Sequence, residues 1–313
     1  MSAWRLLITG ATGDTGHAAI EALAQTGHHI RALVRQDGPK ADELRGLGAE
    51  VVLGDLLDID NVRDAMRDVD AAFFVFPIGP RLLDATAYFA QAAHEAGVGA
   101  IVNLSQRTSR RDSKSSSARN HWIAEKIFDW SGIPVTHLRP TLFTEWLTYG
   151  FSLPRIIEND VLAIPFGTGR FSPIAAHDQG RVIACVLSDP GPHTGNTYLL
   201  DGPQEMDAAQ MAAELSTVLD RPIRYVDEPI ADFQATVATI PQLGSYVGQH
   251  IGAVMVDLQQ GLLAGTTDTV EQITGIAPMS RARLRHRPPR HVHVGANSPL
   301  AQTDPATTPM QYP

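Results

Sequence analysis

The sequence has little that would tie it to an oxidising compartment or to a membrane. Its 313 residues include one cysteine, Cys185, so no disulfide can form within the chain. Cys185 lies in the apolar run RVIACVL, which predicts a reduced thiol in the core. No run is long and apolar enough to span a bilayer, and the first residues lead into WRLLIT without a charged leader. We therefore expect a soluble, cytoplasmic protein with no membrane contact.

Positive charge is scarce as well. The chain has 25 lysines and arginines against 34 aspartates and glutamates, a formal net charge of −9 at pH 7. A general nucleic-acid binder needs a basic surface to neutralise phosphates, so this balance argues against that class. The exception is residues 281–313, with five arginines, one acidic residue, many prolines and no apolar period. They predict a disordered basic tail, whose three histidines lack the spacing of a metal site.

Apolar sequence is plentiful, at 43% of residues, which is enough for a sizeable core. Short apolar runs in the first 140 residues predict six strands, at 4–9, 29–35, 50–55, 71–77, 100–105 and 135–140. Amphipathic stretches lie between them, and two end at Gly27 and Gly97, a common helix stop. Apolar strands that alternate with helices predict a parallel, doubly wound α/β sheet.

The pattern changes after Pro140. Residues 145–157 are rich in aromatics, 166–180 are loop-like, 195–200 and 223–229 contain short strands, and 208–219 and most of 230–275 are helical. These features predict a larger domain over residues 1–142 and a smaller α/β lobe over residues 143–280 that covers the substrate. Strands of the lobe are free to return to the main sheet.

The most informative motif is ITGATGDTG at residues 8–16, which follows the first strand and opens the first helix. Gly10, Gly13 and Gly16 allow a tight turn and a close approach to a diphosphate, and the N–H groups of the helix start face its charge. A glycine triplet alone is also typical of a plain turn. In this strand–loop–helix context it predicts a dinucleotide cofactor.

The glycine spacing is G-x-x-G-x-x-G, and further motifs follow in order: LVR, GDLLD, VNLSQ, AEK and HLRPTLF. Together they resemble the NmrA-like family of atypical, extended short-chain dehydrogenase/reductases, over about residues 4–276. The resemblance implies an NAD(P)-binding Rossmann fold. It does not extend to the tail.

The resemblance also implies roles for individual residues around the cofactor. The phosphate loop would consist of Gly10, Thr12, Gly13, Asp14, Thr15 and Gly16. The adenine would lie between Asp55 and Leu56, and Phe76 and Pro77 would run along the cofactor. Lys126 would bind the nicotinamide ribose, and Pro140 and Thr141 would border the nicotinamide. For Asp55 and Pro140, ordinary turn chemistry at a strand end is an alternative.

The end of the second strand favours NADP(H) over NAD(H). An NAD site places a carboxylate there, about 20 residues past the loop, to bind the ribose hydroxyls. This chain has Arg35, and no acidic residue before Asp37. A guanidinium can bind a 2′-phosphate through paired hydrogen bonds, whereas a carboxylate would repel it. The alternative is a solvated arginine at a strand end.

The segment NHWIAEK at residues 120–126 lacks an expected acid. Fully active short-chain reductases have Tyr-x-x-x-Lys, in which the lysine helps the tyrosine to protonate a forming alkoxide. Here Trp122 takes the place of the tyrosine, and an indole is not a usable proton source. Lys126 is then left to hold the ribose. Ser105 lies on the strand that carries the catalytic serine of such enzymes, or it simply caps the next segment.

Other side chains are candidates for the missing acid or for the acceptor site. His121, Tyr149 and His177 are candidate acids, although such residues are commonly structural. Five aromatic residues predict a flat pocket at the carboxyl ends of the strands: Trp122, Phe143, Trp146, Tyr149 and Phe166. A second core beneath the lobe would explain the same residues.

Two functions follow from this pattern. The first is an NADPH-dependent oxidoreductase that transfers hydride to a planar small-molecule acceptor, a quinone, azo or imine compound, without a tyrosine acid. The second is an NADP(H)-sensing regulator of the NmrA-like type that performs no chemistry and binds a protein partner. The same fold hosts both roles, so the fold alone does not distinguish them.

Overall fold

The computed structural model describes residues 3–241 and 243–279. Its central element is a seven-stranded parallel sheet in the order β3-β2-β1-β4-β5-β6-β8, and β7 pairs with β9 in a separate two-stranded sheet. The strands are β1 (Arg5–Ile8), β2 (His29–Val34), β3 (Glu50–Leu53), β4 (Ala71–Phe74), β5 (Ala100–Leu104), β6 (Val135–Pro140), β7 (Val161–Ala163), β8 (Thr197–Leu200) and β9 (Arg224–Val226). The doubly wound α/β sheet and its six predicted strands are confirmed. The predicted tail, residues 281–313, lies outside the described residues.

Helices cover both faces of this sheet. They are α1 (Asp14–Leu23), α2 (Pro39–Gly46), α3 (Ile59–Ala65), α4 (Leu82–Ala96), α5 (Ser116–Trp130), α6 (Leu153–Asn159), α7 (Ala176–Ser188), α8 (Ala208–Leu219), α9 (Ile230–Thr239), α10 (Gly244–Gln259) and α11 (Thr269–Thr274). Side chains of α1, α2 and α7 share one apolar core with the strands, and side chains of α3, α4 and α5 share the other. None of the described helices is long and apolar enough to cross a bilayer.

Part of the second half of the chain completes the first domain. Strand β8 pairs with β6, and α7 packs against α1 on the same face of the sheet. Most of the other elements of the second half build a third apolar core, which belongs to the lobe itself. A strand predicted within the lobe therefore joins the main sheet.

The loop predicted over residues 166–180 is wrong at its end, because α7 begins at Ala176. Gly180 explains why a helix fits there. A Cβ at this position would lie 2.4 Å from the backbone carbonyl carbon of Ala18, so the glycine allows α7 to approach α1 closely. The first turn of α7 contains the polar residues HDQG, so the sequence does not indicate a helix there.

Two smaller predictions also need correction. Helix α1 ends at Leu23, four residues before Gly27, whereas Gly97 caps α4 in the left-handed conformation as predicted. Cys185 is half buried on α7 rather than enclosed in the core, and burial raises the pKa of its thiol. A raised thiol pKa makes Cys185 a poor nucleophile.

Candidate functional site

The glycine loop joins β1 to α1 at the carboxyl end of the sheet. Gly10 has a left-handed backbone (φ +57°), and a Cβ there would lie 2.4 Å from Val75 Cγ1. At Gly16 a Cβ would lie 2.3 Å from the carbonyl oxygen of Gly10. Gly13 is exposed and is the N-cap of α1, so no side chain caps the first N–H groups of the helix. The turn fits a diphosphate, which needs close backbone and unpaired N–H donors.

Hydrogen bonds between neighbouring strand ends hold this loop in place. Thr9 Oγ1 donates to the carbonyl oxygen of Phe73 at 3.1 Å and accepts from the N–H of Val75 at 2.9 Å. They join the ends of β1 and β4, where the strand order of the sheet reverses. Ligands of doubly wound sheets bind in the crevice at such a switch point. Phe76 is half buried and Pro77 exposed at the β4 side of this crevice.

Arg35 is exposed directly after β2, beside the end of β3. The nearest acidic residue in the sequence, Asp37, is paired with Arg45, whose Nη1 donates to Asp37 Oδ1 at 2.7 Å. The side-chain hydrogen bond from Arg45 lowers the pKa of the Asp37 carboxyl. Asp37, the acidic residue that follows Arg35 most closely in the sequence, is therefore already paired with an arginine of α2.

Asp55 has a local role at the end of β3. Its Oδ1 accepts from the N–H of Leu57 at 2.9 Å, and its own N–H donates to Asn61 Oδ1 at 3.1 Å. These bonds are the turn chemistry that a strand-end aspartate commonly provides. Leu56 is half buried against the core of that face. An adenine contact for Asp55 and Leu56 stays a prediction.

The lobe contacts the glycine motif at the start of α1 through a tyrosine. Tyr149 follows a short 3-10 helix (Thr144–Thr148), and its hydroxyl donates to Asp14 Oδ2 at 3.2 Å. Burial and then the charge of Asp14 raise the pKa of the Tyr149 phenol, so it holds its proton more tightly than a free tyrosine. On the other side of the same turn, Thr15 Oγ1 donates to Gln179 Oε1 of α7 at 3.5 Å. Residues from the second half of the chain thus contact both sides of the start of α1.

Glu145 is a site residue that the sequence did not single out. Its Oε1 accepts from the N–H of Ala176 at 3.0 Å, and its Oε2 accepts from Thr144 Oγ1 at 3.1 Å. Burial raises the pKa of this carboxyl, opposed by the bond from Ala176. Glu145 therefore caps α7, and only the presence of α7 reveals this role.

Lys126 and Trp122 lie on α5, as predicted. Lys126 Nζ donates to Asp129 Oδ2 at 2.6 Å, and the lysine side chain is 40% exposed. Asp129 Oδ1 also lies 3.0 Å from His137 Nε2. Trp122 is half buried, one turn before Lys126. In this arrangement the ammonium is bound to a carboxylate of its own helix, and its contact with a ribose stays a prediction.

Glu125, the residue before Lys126, makes a more buried contact than the Lys126–Asp129 pair. Glu125 accepts from Arg139 Nε at 2.8 Å and Nη2 at 2.5 Å, and the Glu125 side chain is only 2% exposed. This bidentate pair joins α5 to β6, 14 residues later in the chain. A buried, bidentate arginine–carboxylate pair has a specific geometry. It fixes the position of α5 along β6, the strand that ends at Pro140.

Beyond that pair, toward the carboxyl ends of β5 and β6, polar side chains are buried without partners. Among the described residues, Ser105 Oγ, Thr141 Oγ1 and Gln106 Nε2 have no hydrogen-bond partner. The backbone hydrogen bonds between neighbouring strands extend to Ser105 and Thr141. The N–H of Ser105 donates to the carbonyl oxygen of Leu138, and the N–H of Thr141 donates to that of Leu200. Buried polar groups are rarely left unpaired in proteins. The residues present therefore fit a polar ligand at the place predicted for the nicotinamide.

Two histidines, one on α5 and one on α10, are buried. Burial, together with neighbouring His250, lowers the pKa of His121 on α5 to about 3. Burial lowers the pKa of His250 on α10 to about 4, against the opposing charge of Asp257. His250 Nδ1 lies 2.8 Å from Ser115 Oγ, the N-cap of α5. Both imidazoles are neutral near pH 7, so neither is a ready proton donor.

These pKa values predict a loss of stability in mild acid. The unfolded chain binds protons near pH 6.5 while the folded histidines stay neutral, so stability is complete above that pH and falls as the pH drops toward the folded pKa. Between about pH 6.5 and pH 5.5 each histidine should cost about 1 kcal/mol of unfolding free energy. Urea unfolding of His250→Gln should show a smaller acid loss than the wild type. The matched control is the exposed His29→Gln, which should behave like the wild type; equal slopes in all three would contradict the prediction.

His177 and the five aromatic residues have mixed surroundings. His177 is partly exposed at the start of α7, 3.7 Å from the Asp178 carboxylate. Phe166 is 1% exposed and packs edge-on against Phe171. Trp146 is buried beside Phe166, with its indole Nε1 unpartnered among the described residues.

The other aromatic residues of the predicted pocket lie around this core. Phe143 packs on the main core and Tyr149 on the lobe core, while Trp122 is half buried on α5. The lobe core contains Phe166 and Trp146 as a second core would. Their contact with an acceptor stays a prediction.

Known proteins resemble this chain over most of its length. The model of the NmrA-like family matches residues 3–261. Over 276 residues the chain is 30% identical to the NAD(P)H azoreductase of Xenophilus azovorans, covering 86% of this chain and 93% of that one. The NADPH complex of the NADPH-dependent quinone oxidoreductase of Escherichia coli superposes with a TM-score of 0.77 at 28% identity, covering 90% of this chain and 98% of that one.

A solved structure of NmrA, a negative transcriptional regulator in complex with NADP, superposes with a TM-score of 0.75. It covers 91% of this chain and 95% of that one, but the identity is 17%, so it shows only the shared fold. The range matched by the family model includes the glycine loop, the switch point and the strand ends described above. The chain belongs to the NmrA-like family.

Proposed function

We propose that the protein is an NADPH-dependent oxidoreductase that transfers hydride to a planar acceptor, a quinone, azo or imine compound. The observation that carries this proposal is the glycine turn, because side chains at Gly10 and Gly16 would collide with Val75 and with the turn itself. Such a turn is of use to a diphosphate that approaches the backbone. The azoreductase and quinone oxidoreductase relatives support the choice of acceptor.

The residues divide the work between binding and orientation. N–H groups of the first turn of α1 would hold the diphosphate, and Arg35 would bind the 2′-phosphate. Bound NADPH supplies the hydride. The hydroxyls of Ser105 and Thr141, which have no partner among the described residues, would orient the ring that carries it. With Trp122 in the tyrosine position, the acceptor must be one whose reduced form water can protonate.

The alternative is a sensor that binds a protein partner and performs no turnover. It draws on the fold shared with the NmrA regulator and on the absent tyrosine acid. The two functions differ in one observable respect. A reductase consumes NADPH when an acceptor is present, whereas a sensor only binds the oxidised and reduced cofactors with different affinities.

The test is a panel of quinones, azo dyes and imines, with NADPH absorbance followed over time. Binding of NADPH and NADP⁺ is measured in parallel by calorimetry. Sustained NADPH loss that depends on both the acceptor and the protein is expected. Tight binding of both cofactors with no turnover of any acceptor would overturn the proposal in favour of the sensor.

Lys126 gives a narrower prediction about the cofactor. We expect Lys126→Ala to weaken NADPH binding about threefold, because a partly exposed ammonium contributes up to about 1 kcal/mol. Asp129→Asn removes the partner that holds Lys126 Nζ, and it should leave the affinity equal or slightly higher. Calorimetry of both variants is sufficient. An unchanged affinity in Lys126→Ala would mean that the lysine serves only its ion pair with Asp129.

A further inference from the structure

His121 is a buried side chain without a defined task. It is 5% exposed on α5, and its ring nitrogens are not among the described side-chain atoms that are fully enclosed without a partner. A neutral imidazole has one N–H donor and one acceptor nitrogen. A histidine that is largely buried but whose nitrogens are not sealed off can offer its N–H to a bound ligand. His250, buried to a similar degree, is paired with Ser115.

The ion pair between Glu125 and Arg139 shows where His121 lies. One helical turn before Glu125 is His121, about 6 Å nearer the N-terminus of α5. Two residues after Arg139 is Thr141, about 6–7 Å nearer the carboxyl end of β6. The helix runs antiparallel to the strand, and both steps keep to the face that carries the ion pair. His121 and Thr141 therefore lie at about the same level along the strand direction.

Ser105 belongs to the same face. The register pairs Leu104 with Leu138, so Ser105 follows beside Arg139 on the neighbouring strand. Its hydroxyl and that of Thr141 are buried and unpartnered among the described residues. Three adjacent elements thus place hydrogen-bonding side chains, those of His121, Ser105 and Thr141, at the edge where the cofactor ring is expected.

Resting on the proposed function, we infer that His121 donates a hydrogen bond to the acceptor's reducible heteroatom, a quinone oxygen or azo nitrogen. The role differs from that of an acid. The acceptor gains a hydride from NADPH, which leaves as NADP⁺, and one proton from water, while His121 keeps its own N–H throughout. A donor placed where negative charge develops stabilises the transition state without giving up its proton. The lowered pKa of His121 agrees with this, because the neutral ring retains a donor and repels no cation.

The test compares menadione with methylnaphthalene, which has the same ring system without the two oxygens. Both are titrated into wild-type protein saturated with NADP⁺, and into His121→Phe and His121→Gln. Loss of one hydrogen bond should weaken menadione binding about three- to tenfold in His121→Phe. His121→Gln keeps an N–H donor and should recover most of that loss. Methylnaphthalene affinity should change less than about twofold, which also shows that the pocket is intact.

Turnover provides the second measurement. In His121→Phe the menadione kcat should fall more than KM rises, since the bond strengthens as charge develops. If both ligands lose affinity together, His121 only packs in the pocket, and the inference is overturned. If wild type and variants bind and reduce menadione equally, the inference fails while the proposed function stands. A wild type that binds menadione with the His121 dependence but never oxidises NADPH would instead overturn the function alone. Absence of both binding and turnover contradicts both.

Discussion

Replacing Gly16 with alanine is expected to weaken NADPH binding severely in a protein that still folds. The added Cβ would lie 2.3 Å from the carbonyl oxygen of Gly10 and 2.7 Å from its carbonyl carbon. Backbone atoms cannot rotate away as a side chain can, so the loop must open. Overpacking of this kind costs on the order of 1–3 kcal/mol, and it moves the N–H donors of α1 away from the phosphates. We therefore expect an affinity loss of about 100-fold or more.

Gly46 provides a matched control at the end of α2. A Cβ there meets no atom within 4 Å, and the residue does not have a left-handed backbone. Gly46→Ala should bind NADPH like the wild type, and helix propensity gives it no penalty. Calorimetry measures the affinity, and circular dichroism confirms folding. Unaltered NADPH binding by a folded Gly16→Ala protein would show that the cofactor does not use this loop.

Removing the guanidinium of Arg35 is expected to erase the preference for NADPH over NADH. A hydrogen bond to a charged group contributes about 1.5–3 kcal/mol, so NADPH affinity should fall roughly 10- to 150-fold in Arg35→Ala. NADH has no 2′-phosphate, and its affinity should stay within about twofold of the wild type. Higher salt should weaken NADPH binding to the wild type more than to the variant, because exposed ionic contacts are screened.

Arg67 is a suitable comparison for Arg35. It is also exposed, and its guanidinium pairs with Asp64, three residues earlier on α3. Arg67→Ala should leave both cofactor affinities unchanged. Equal affinity of the wild type for NADPH and NADH, or a preference that survives Arg35→Ala, would show that the charge at the end of β2 does not select the cofactor.

The sheet and the glycine loop could be predicted from the sequence because both depend on local order. Buried parallel strands are continuous apolar runs, and the helix between two such strands must return over the sheet. The turn at Gly10 needs a left-handed residue and room for a backbone approach, which glycine signals directly. These features are decided within a few residues of one another.

Features that depend on distant contacts were not predictable in the same way. Gly180 has meaning only because Ala18 lies against it, 162 positions earlier in the sequence. Glu145 caps a helix that begins at Ala176, and the sequence marked that region as a loop. Lys126 illustrates the opposite case, since its partner Asp129 is only three residues away in the sequence.

Aromatic residues show a further limit of the sequence. Trp146 and Phe166 occur in the segment expected to cover the substrate, and they belong to the core of the lobe. Composition predicts an apolar cluster but does not say whether a ligand or another side chain fills it. Unpaired polar atoms are more informative, because Ser105 and Thr141 are buried with nothing described to bind.

The most direct measurement is the consumption of NADPH against a known amount of acceptor in the absence of oxygen. Wild-type protein is mixed with excess NADPH and a limiting quantity of menadione, and the loss of NADPH absorbance is followed to its end. Hydride transfer predicts that one NADPH disappears for each menadione reduced, at a rate proportional to protein concentration. Gly16→Ala should show only the rate without protein. NADPH that binds to the wild type yet persists unchanged, with menadione and with every other quinone, azo or imine acceptor, would contradict the assignment as an oxidoreductase.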